Sequence, residues 1–203
     1  MIDDPKALKT LKAALRREAF ERRAALSPAW RARASEAIRG RILDLPELAA
    51  ARNIALFASI DDEINTYPLI AKLIRAKGSI LLPRALIAER RLELRRVRDF
   101  RHGFLRAWKG IPEPDPAVHT ESVAPEQMDL ILVPGLTFDR RGFRIGYGGG
   151  FYDELLGHPR AGRAIGIVFS PLLRAEPLPT APWDRPVDAI CTDEELLALY
   201  RCS

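Results

Sequence analysis

Residues 130–133, Leu-Ile-Leu-Val, are apolar without a break, and Pro134-Gly135 follow at once. A strand with one wet face alternates. An unbroken run is what a strand buried on both faces requires, as in a parallel sheet. Parallel strands cannot be joined by tight hairpins, so crossover segments must separate them. The chain supplies them. Residues 53–58 read as a first strand and 67–77 as a helix, capped by Asn65 or Thr66 and ended by Gly78. Residues 79–83 read as a second strand, which completes a β-loop-α-β unit with a right-handed crossover. Residues 164–169 form another apolar run, 92–97 alternate as a half-exposed strand does, and 187–192 suit a last short strand. Asp193-Glu194-Glu195 then predict the first turn of a terminal helix. Two helices precede the sheet. One spans 5–26, with Leu8, Leu11, Leu15 and Ala19 at helical spacing, and the other opens at Ser27-Pro28 and stops at Pro46.

With 203 residues and 47% hydrophobic side chains, the chain has the size of one domain, 1–203, around one core. No apolar run nears the roughly 20 residues that span a bilayer, so no membrane association is expected. The charged stretch 1–23 lacks the apolar region of a signal peptide. Cys191 and Cys202 form neither a disulfide framework nor a metal pattern, which suits a reducing cytoplasm. The net charge of +5 resides in residues 1–52, where 12 Lys/Arg face 7 Asp/Glu. Such a basic helical region is either a solvated face or a grip for a small anion. Nucleic acid would need stacking aromatics, and only Phe20 and Trp30 are present there, so no nucleic-acid partner is expected. His102, His119 and His158 fall in loop stretches, and no Ser-His or Cys-His arrangement stands out. The Pro-rich stretch 108–125 is too long for an idle connection and is expected to cover a site.

The chemistry concentrates after the 130–133 strand. Arg144 is followed by Ile145, Gly146, Tyr147, Gly148, Gly149 and Gly150, then by Phe151, Tyr152 and Asp153 at a helix opening. Four glycines in five positions leave backbone N–H groups uncovered and make an anion-binding nest, to which the next helix adds its N-terminal end. Arg144 adds a forked cation, and Asp153 stands where a carboxylate can hold magnesium beside phosphates. A plain exposed turn is the alternative. The order matches neither a Walker A loop, since no Lys follows the glycines, nor a Rossmann turn, since the glycines do not directly follow a first strand.

Residues 129–153 resemble, almost throughout, the signature D-L-I-L-V-P-G-x-x-F-D-x-x-G-x-R-x-G-Y-G-G-G-[FY]-Y-D of the 5-formyltetrahydrofolate cyclo-ligases, also called methenyltetrahydrofolate synthetases. Lys12, Arg16 and the later Arg22-Arg23-x-x-Leu26-Ser27 are similar to that family's N-terminal pattern, and 62–66 to its D-E-[IV]-x-T. The resemblance implies an α/β fold with three layers and a largely parallel sheet flanked by helices, of the sugar-phosphate isomerase and CoA-transferase-like type. It implies that Lys12, Arg16 and residues 144–152 bind ATP. It assigns folate contacts to Arg16, Ala58, Glu63, Trp108, Tyr147 and Tyr152, and catalysis to Arg144 and Tyr152. It gives Asp153 and Asp188 to magnesium. Glu63 suits a pterin, whose adjacent N–H and amino donors one carboxylate can accept side by side. The alternative is a loop acid at a helix N-terminus. Trp108 can stack on a flat ring or anchor its loop.

The implied reaction is ATP- and magnesium-dependent conversion of 5-formyltetrahydrofolate to 5,10-methenyltetrahydrofolate, with ADP and phosphate released. Phosphorylating the formyl oxygen makes it a leaving group, and N10 then closes the ring. Positioning and electrostatics carry such a transfer. A paralogue or small-molecule kinase on another substrate is the alternative. A monomer or weak homodimer is expected. The chain departs from the family at Phe151, at Ala181-Pro182-Trp183-Asp184 where E-x-H-D is frequent, and at Ser170-Pro171.

Overall fold

The computed structural model describes residues 4–107, 110–159 and 162–199. Helices α1 (Pro5–Ala24) and α2 (Pro28–Leu43) come first, each with Pro in its opening turn. Asp4 caps α1 by accepting from Lys6 N–H, and Ser27 caps α2 by accepting from Trp30 N–H. Pro46 does more than stop α2. It opens a further short helix, α3 (Pro46–Ala50), since a proline fits the first turn of a helix as well as it breaks the interior of one. Next come β1 (Ile54–Ala55), α4 (Tyr67–Lys77), β2 (Ile80–Leu86), β3 (Arg91–Val97), β4 (Phe104–Arg106), β5 (Pro112–Pro114), β6 (Ser122–Val123) and β7 (Leu130–Pro134). The chain continues through β8 (Thr137–Asp139), β9 (Arg144–Ile145), α5 (Phe151–Gly157), β10 (Arg163–Ile167), β11 (Leu173–Arg174), β12 (Ala189–Cys191) and β13 (Leu196–Ala198).

The large sheet has the order β13-β12-β10-β7-β1-β2-β3-β6. Strands β2, β1, β7, β10 and β12 run parallel, and antiparallel neighbours close both edges. The fold is thus a mixed α/β one with a mostly parallel sheet. In β7, Leu130, Ile131, Leu132 and Val133 are all buried, as their unbroken apolar run requires. From β1 the chain crosses to β2 on one side, whereas β7 adds on the other. This reversal makes a crevice at the carboxyl ends of β1 and β7, the place where open α/β sheets bind ligands.

The predicted terminal helix is a strand. Thr192 N–H donates to the Glu195 carbonyl, and its Oγ1 accepts from the N–H groups of Glu194 and Glu195. That turn folds the acids into a hairpin, and β13 pairs antiparallel with β12. The acids at 193–195 therefore mark a side-chain-closed turn rather than a helix start.

A small sheet of order β11-β8-β9 lies against the large one. Its anchor is Phe138, fully buried against Gly135 and Gly166, where a Cβ would strike the ring. Because β8 is held there, β9 delivers the glycine-rich stretch from a fixed base. None of the described helices is long and apolar enough to cross a membrane.

Candidate active site

The turn after β1 is built to present Glu63. Asp61 takes the left-handed conformation at φ 48°, which an Asp tolerates better than most residues. The chain then doubles back, so that Glu63 N–H donates to the Ile60 carbonyl at 3.0 Å and Ile60 N–H donates to Glu63 Oε2 at 3.0 Å. Two buried residues tie the ends of this loop. Ser59 N–H donates to Thr66 Oγ1, Thr66 N–H donates to Ser59 Oγ, and Thr66 Oγ1 donates to the Phe57 carbonyl at 2.8 Å. Thr66 therefore closes the loop, while Asn65 Oδ1 accepts from Tyr67 N–H at the start of α4.

A cleft opens at the reversal point. Phe57, Pro134, Gly135 and Val168 line it from the ends of the central strands, and Glu63 and Arg23 supply its charge. Arg23 Nη2 lies 2.7 Å from Asp62 Oδ1, and its Nη1 lies 3.8 Å from Glu63 Oε1. Tyr147 donates its hydroxyl to Glu63 Oε1 at 2.6 Å. Burial pushes the Glu63 pKa up, against the Tyr147 and Ile60 hydrogen bonds and the Arg23 charge. Burial also raises the pKa values of the Tyr147 and Tyr152 phenols.

The glycine loop stands beside this cleft. Gly148 and Gly150 hold φ of 103° and 75°, conformations closed to most side chains. Among the described residues, the N–H groups of Gly148, Gly149 and Gly150 donate no hydrogen bond. Arg16 Nε donates to the Gly146 carbonyl at 2.8 Å, and its guanidinium lies over Gly148. The loop runs into α5, whose first turn carries Asp153 and Glu154. The helix is only two turns long, so the anion-binding capacity rests on the loop N–H groups more than on a helix dipole.

Arg144 anchors the far side. Its Nη2 donates to Asp153 Oδ1 at 3.0 Å and its Nη1 to the Arg185 carbonyl at 2.7 Å. Burial draws its pKa down, and Asp153, Tyr152 and Asp184 oppose that shift. Lys12 pairs with Asp184, and Arg185 N–H donates to Asp153 Oδ1 at 3.1 Å. Lys12, Arg16 and Arg23 follow one another at spacings of four and seven residues, so all three leave one face of α1.

Of the residues expected from the sequence, the structure brings Lys12, Arg16, Glu63, Arg144, Tyr147, Tyr152 and Asp153 around this region. Ala58 is buried beside the cleft-lining Phe57, at the end of the first strand. Tyr152 packs, partly buried, against the core next to Phe151. Trp108 lies outside the described residues. Asp188 sits at the opposite end of the strands: it precedes β12, and its Oδ2 accepts from Ala164 N–H at 2.8 Å where β10 begins. Two residues escaped the sequence reading. Asp184 is visible only as the aspartate of a departing motif, and Arg23 only as one of a basic pair.

Among the described residues no cluster of three His, Cys, Asp or Glu side chains is placed to hold a metal ion. Magnesium beside a nucleotide needs no all-protein cage, since one or two carboxylates hold it with phosphate oxygens and water. Among the described residues, both hydrogen bonds to the Asp153 carboxylate fall on Oδ1, which leaves Oδ2 for such a role. The donor set fits.

The profile of the 5-formyltetrahydrofolate cyclo-ligase family matches residues 8–193. The chain belongs to that family. A 5-formyltetrahydrofolate cyclo-ligase of Haemophilus influenzae is 30% identical over 180 residues, covering 85% of this chain and 92% of the relative. One from Escherichia coli strain K12 is 29% identical over 189 residues, with 87% and 97% covered. The NMR structure of Aquifex aeolicus 5,10-methenyltetrahydrofolate synthetase superposes with a TM-score of 0.81 at 33% identity, covering 95% of each chain. The glycine loop and the Glu63 turn meet at the Tyr147–Glu63 hydrogen bond.

Proposed function

We propose that this chain closes 5-formyltetrahydrofolate to 5,10-methenyltetrahydrofolate at the expense of ATP, releasing ADP and phosphate. The observation that carries this reading is the Tyr147–Glu63 hydrogen bond, which ties the phosphate loop to the pterin acceptor in one cleft. In this reading the loop N–H groups of 148–150 cradle the phosphates, with Lys12 and Arg16 from α1. Arg144 steadies the charge that spreads over the transferring phosphoryl group. Magnesium, when bound, neutralises phosphate charge, and Asp153 would hold it. Asp184 lies near Arg144 on the side of Asp153 and suits a second ligand better than Asp188, which lies at the opposite end of the strands. Glu63 accepts the donor pair of the pterin, and the Tyr152 phenol, kept protonated by burial, donates to the formyl oxygen. Ala58, next to the cleft-lining Phe57, borders the folate pocket. The phosphorylated formyl group then meets N10 of the same molecule, with no side-chain nucleophile needed.

The single domain is of the three-layer, sugar-phosphate isomerase and CoA-transferase-like type. In support, the β1-α4-β2 and β7-α5-β10 crossovers run in opposite directions, and right-handed crossovers of opposite direction put their helices on opposite faces. The compartment is the cytoplasm, which suits the buried free thiol of Cys191. The test mixes the protein with 5-formyltetrahydrofolate, ATP and magnesium and follows the methenyltetrahydrofolate absorbance, without ATP and with Arg144→Ala and Asp153→Ala as controls. ATP-dependent product, lost in both variants, is the expected result. ATP binding with no product would overturn the substrate.

A further inference from the structure

The Arg23 side chain is 7% exposed, lines the cleft, and has its Nη atoms committed to Asp62 and towards Glu63 and Tyr147. Its Nε is buried and has no hydrogen-bond partner. A buried donor left unpaired is rare in native proteins and costly, and the side chain that carries this one lines the cleft together with Glu63. Phe20 packs against the guanidinium at 5.5 Å, so the side chain is not free to swing out for a partner.

The substrate of the reading above fits that donor. The edge of a 2-amino-4-oxopterin presents a carbonyl acceptor, a ring N–H donor and an amino donor, in that order. Glu63 can take only the two donors, since an ionised carboxylate accepts and does not donate. The carbonyl needs a donor next to Glu63, and Arg23 is the cation there. We infer that Arg23 reads the 4-oxo group of the pterin, so that Arg23 and Glu63 together match the whole edge and exclude pteridines with a donor at that position. This inference rests on the folate reading of the same cleft and adds a residue that sets its specificity.

The experiment measures equilibrium binding and steady-state kinetics of the full chain with 5-formyltetrahydrofolate and with its 2,4-diaminopteridine analogue, which places an amino donor where the carbonyl was. The wild type should prefer the 4-oxo compound by about 100-fold or more, because the analogue leaves buried donors face to face. Arg23→Lys keeps the charge beside Asp62 and Glu63 but removes Nε. It should bring the two compounds within about fivefold and raise KM for folate about 10-fold, with kcat and ATP affinity little changed. Retained preference in a folded Arg23→Lys protein would overturn the inference. Should that variant fail to fold, the wild type with a 4-deoxo analogue decides: affinity equal to the parent overturns the assignment, and a loss of about 10-fold supports it. Absence of any folate binding would overturn both readings, whereas binding without discrimination overturns only this one.

Discussion

Glu63 is asked to be charged in a place that resists charge. Burial raises its pKa even with Arg23 and Tyr147 beside it, so the folded state holds the proton more tightly than the unfolded chain does. The contribution of such a group to stability is whole below the ordinary glutamate pKa and is lost as pH climbs through the raised folded value. Glu63→Gln should therefore melt with the wild type at acid pH and above it at neutral pH, while its KM for folate rises about 10-fold or more; thermal melts across pH and initial rates check both. The acids near the phosphate loop separate by contact. Asp184→Ala, beside Lys12 and Arg144, should raise the magnesium needed for half-maximal rate about 10-fold. Asp188→Ala should cost about 1–3 kcal/mol in urea unfolding, because Ala164 N–H loses its acceptor, with magnesium dependence little changed. If instead Asp188→Ala moved the magnesium titration and Asp184→Ala did not, the carboxylate assignment would be reversed.

At the level of elements, the glycine loop divides into positions that need space and positions that need only φ. A Cβ on Gly148 would lie 3.2 Å from Arg16 Nη2, whereas one on Gly150 meets nothing within 4 Å. Both hold positive φ, so both substitutions cost backbone strain of about 1–2 kcal/mol. Gly148→Ala should in addition displace Arg16 and weaken ATP binding about 10-fold more than Gly150→Ala, as nucleotide titrations would register. The β1-α4-β2 unit, Gly78 as its left-handed helix end, and β7 were all readable from period and punctuation. The loop was readable because its chemistry is contiguous. Residues 193–195 were not, because acids favour both a helix start and a turn, and the choice fell to Thr192, whose hydroxyl closes the turn. Arg23 was not, because its role depends on Asp62 and Glu63, distant in sequence and brought to it by the turn at Asp61.

For the molecule as a whole, one ring holds the two sheets together. Phe138 is enclosed between Gly135 and Gly166, so Phe138→Ala should cost about 3–5 kcal/mol. Activity at temperatures where the variant remains folded should fall too, since β9 and the loop lose their base; comparing urea unfolding with initial rates separates the two effects. Nucleotide should act in the opposite sense. At about 100 times its Kd, ATP with magnesium stabilises by about 2.7 kcal/mol if it binds only the folded chain, and Arg144→Ala should remove that gain at the same concentration. Overall architecture was foreseeable from apolar runs, which depend on neighbours in sequence; the cleft depended on strand order, which does not. The face of α1 that carries Lys12, Arg16 and Arg23 has one more consequence. A helix advances by a fixed rise, so Arg16 on the loop and Arg23 in the cleft stand roughly 10 Å apart along its axis. On the proposed reading, the helix is in effect a gauge rod between the nucleotide and the pterin. Its length is written in residue count, and one residue inserted between the two arginines would turn the second grip away by about 100° while leaving every contact residue in the chain.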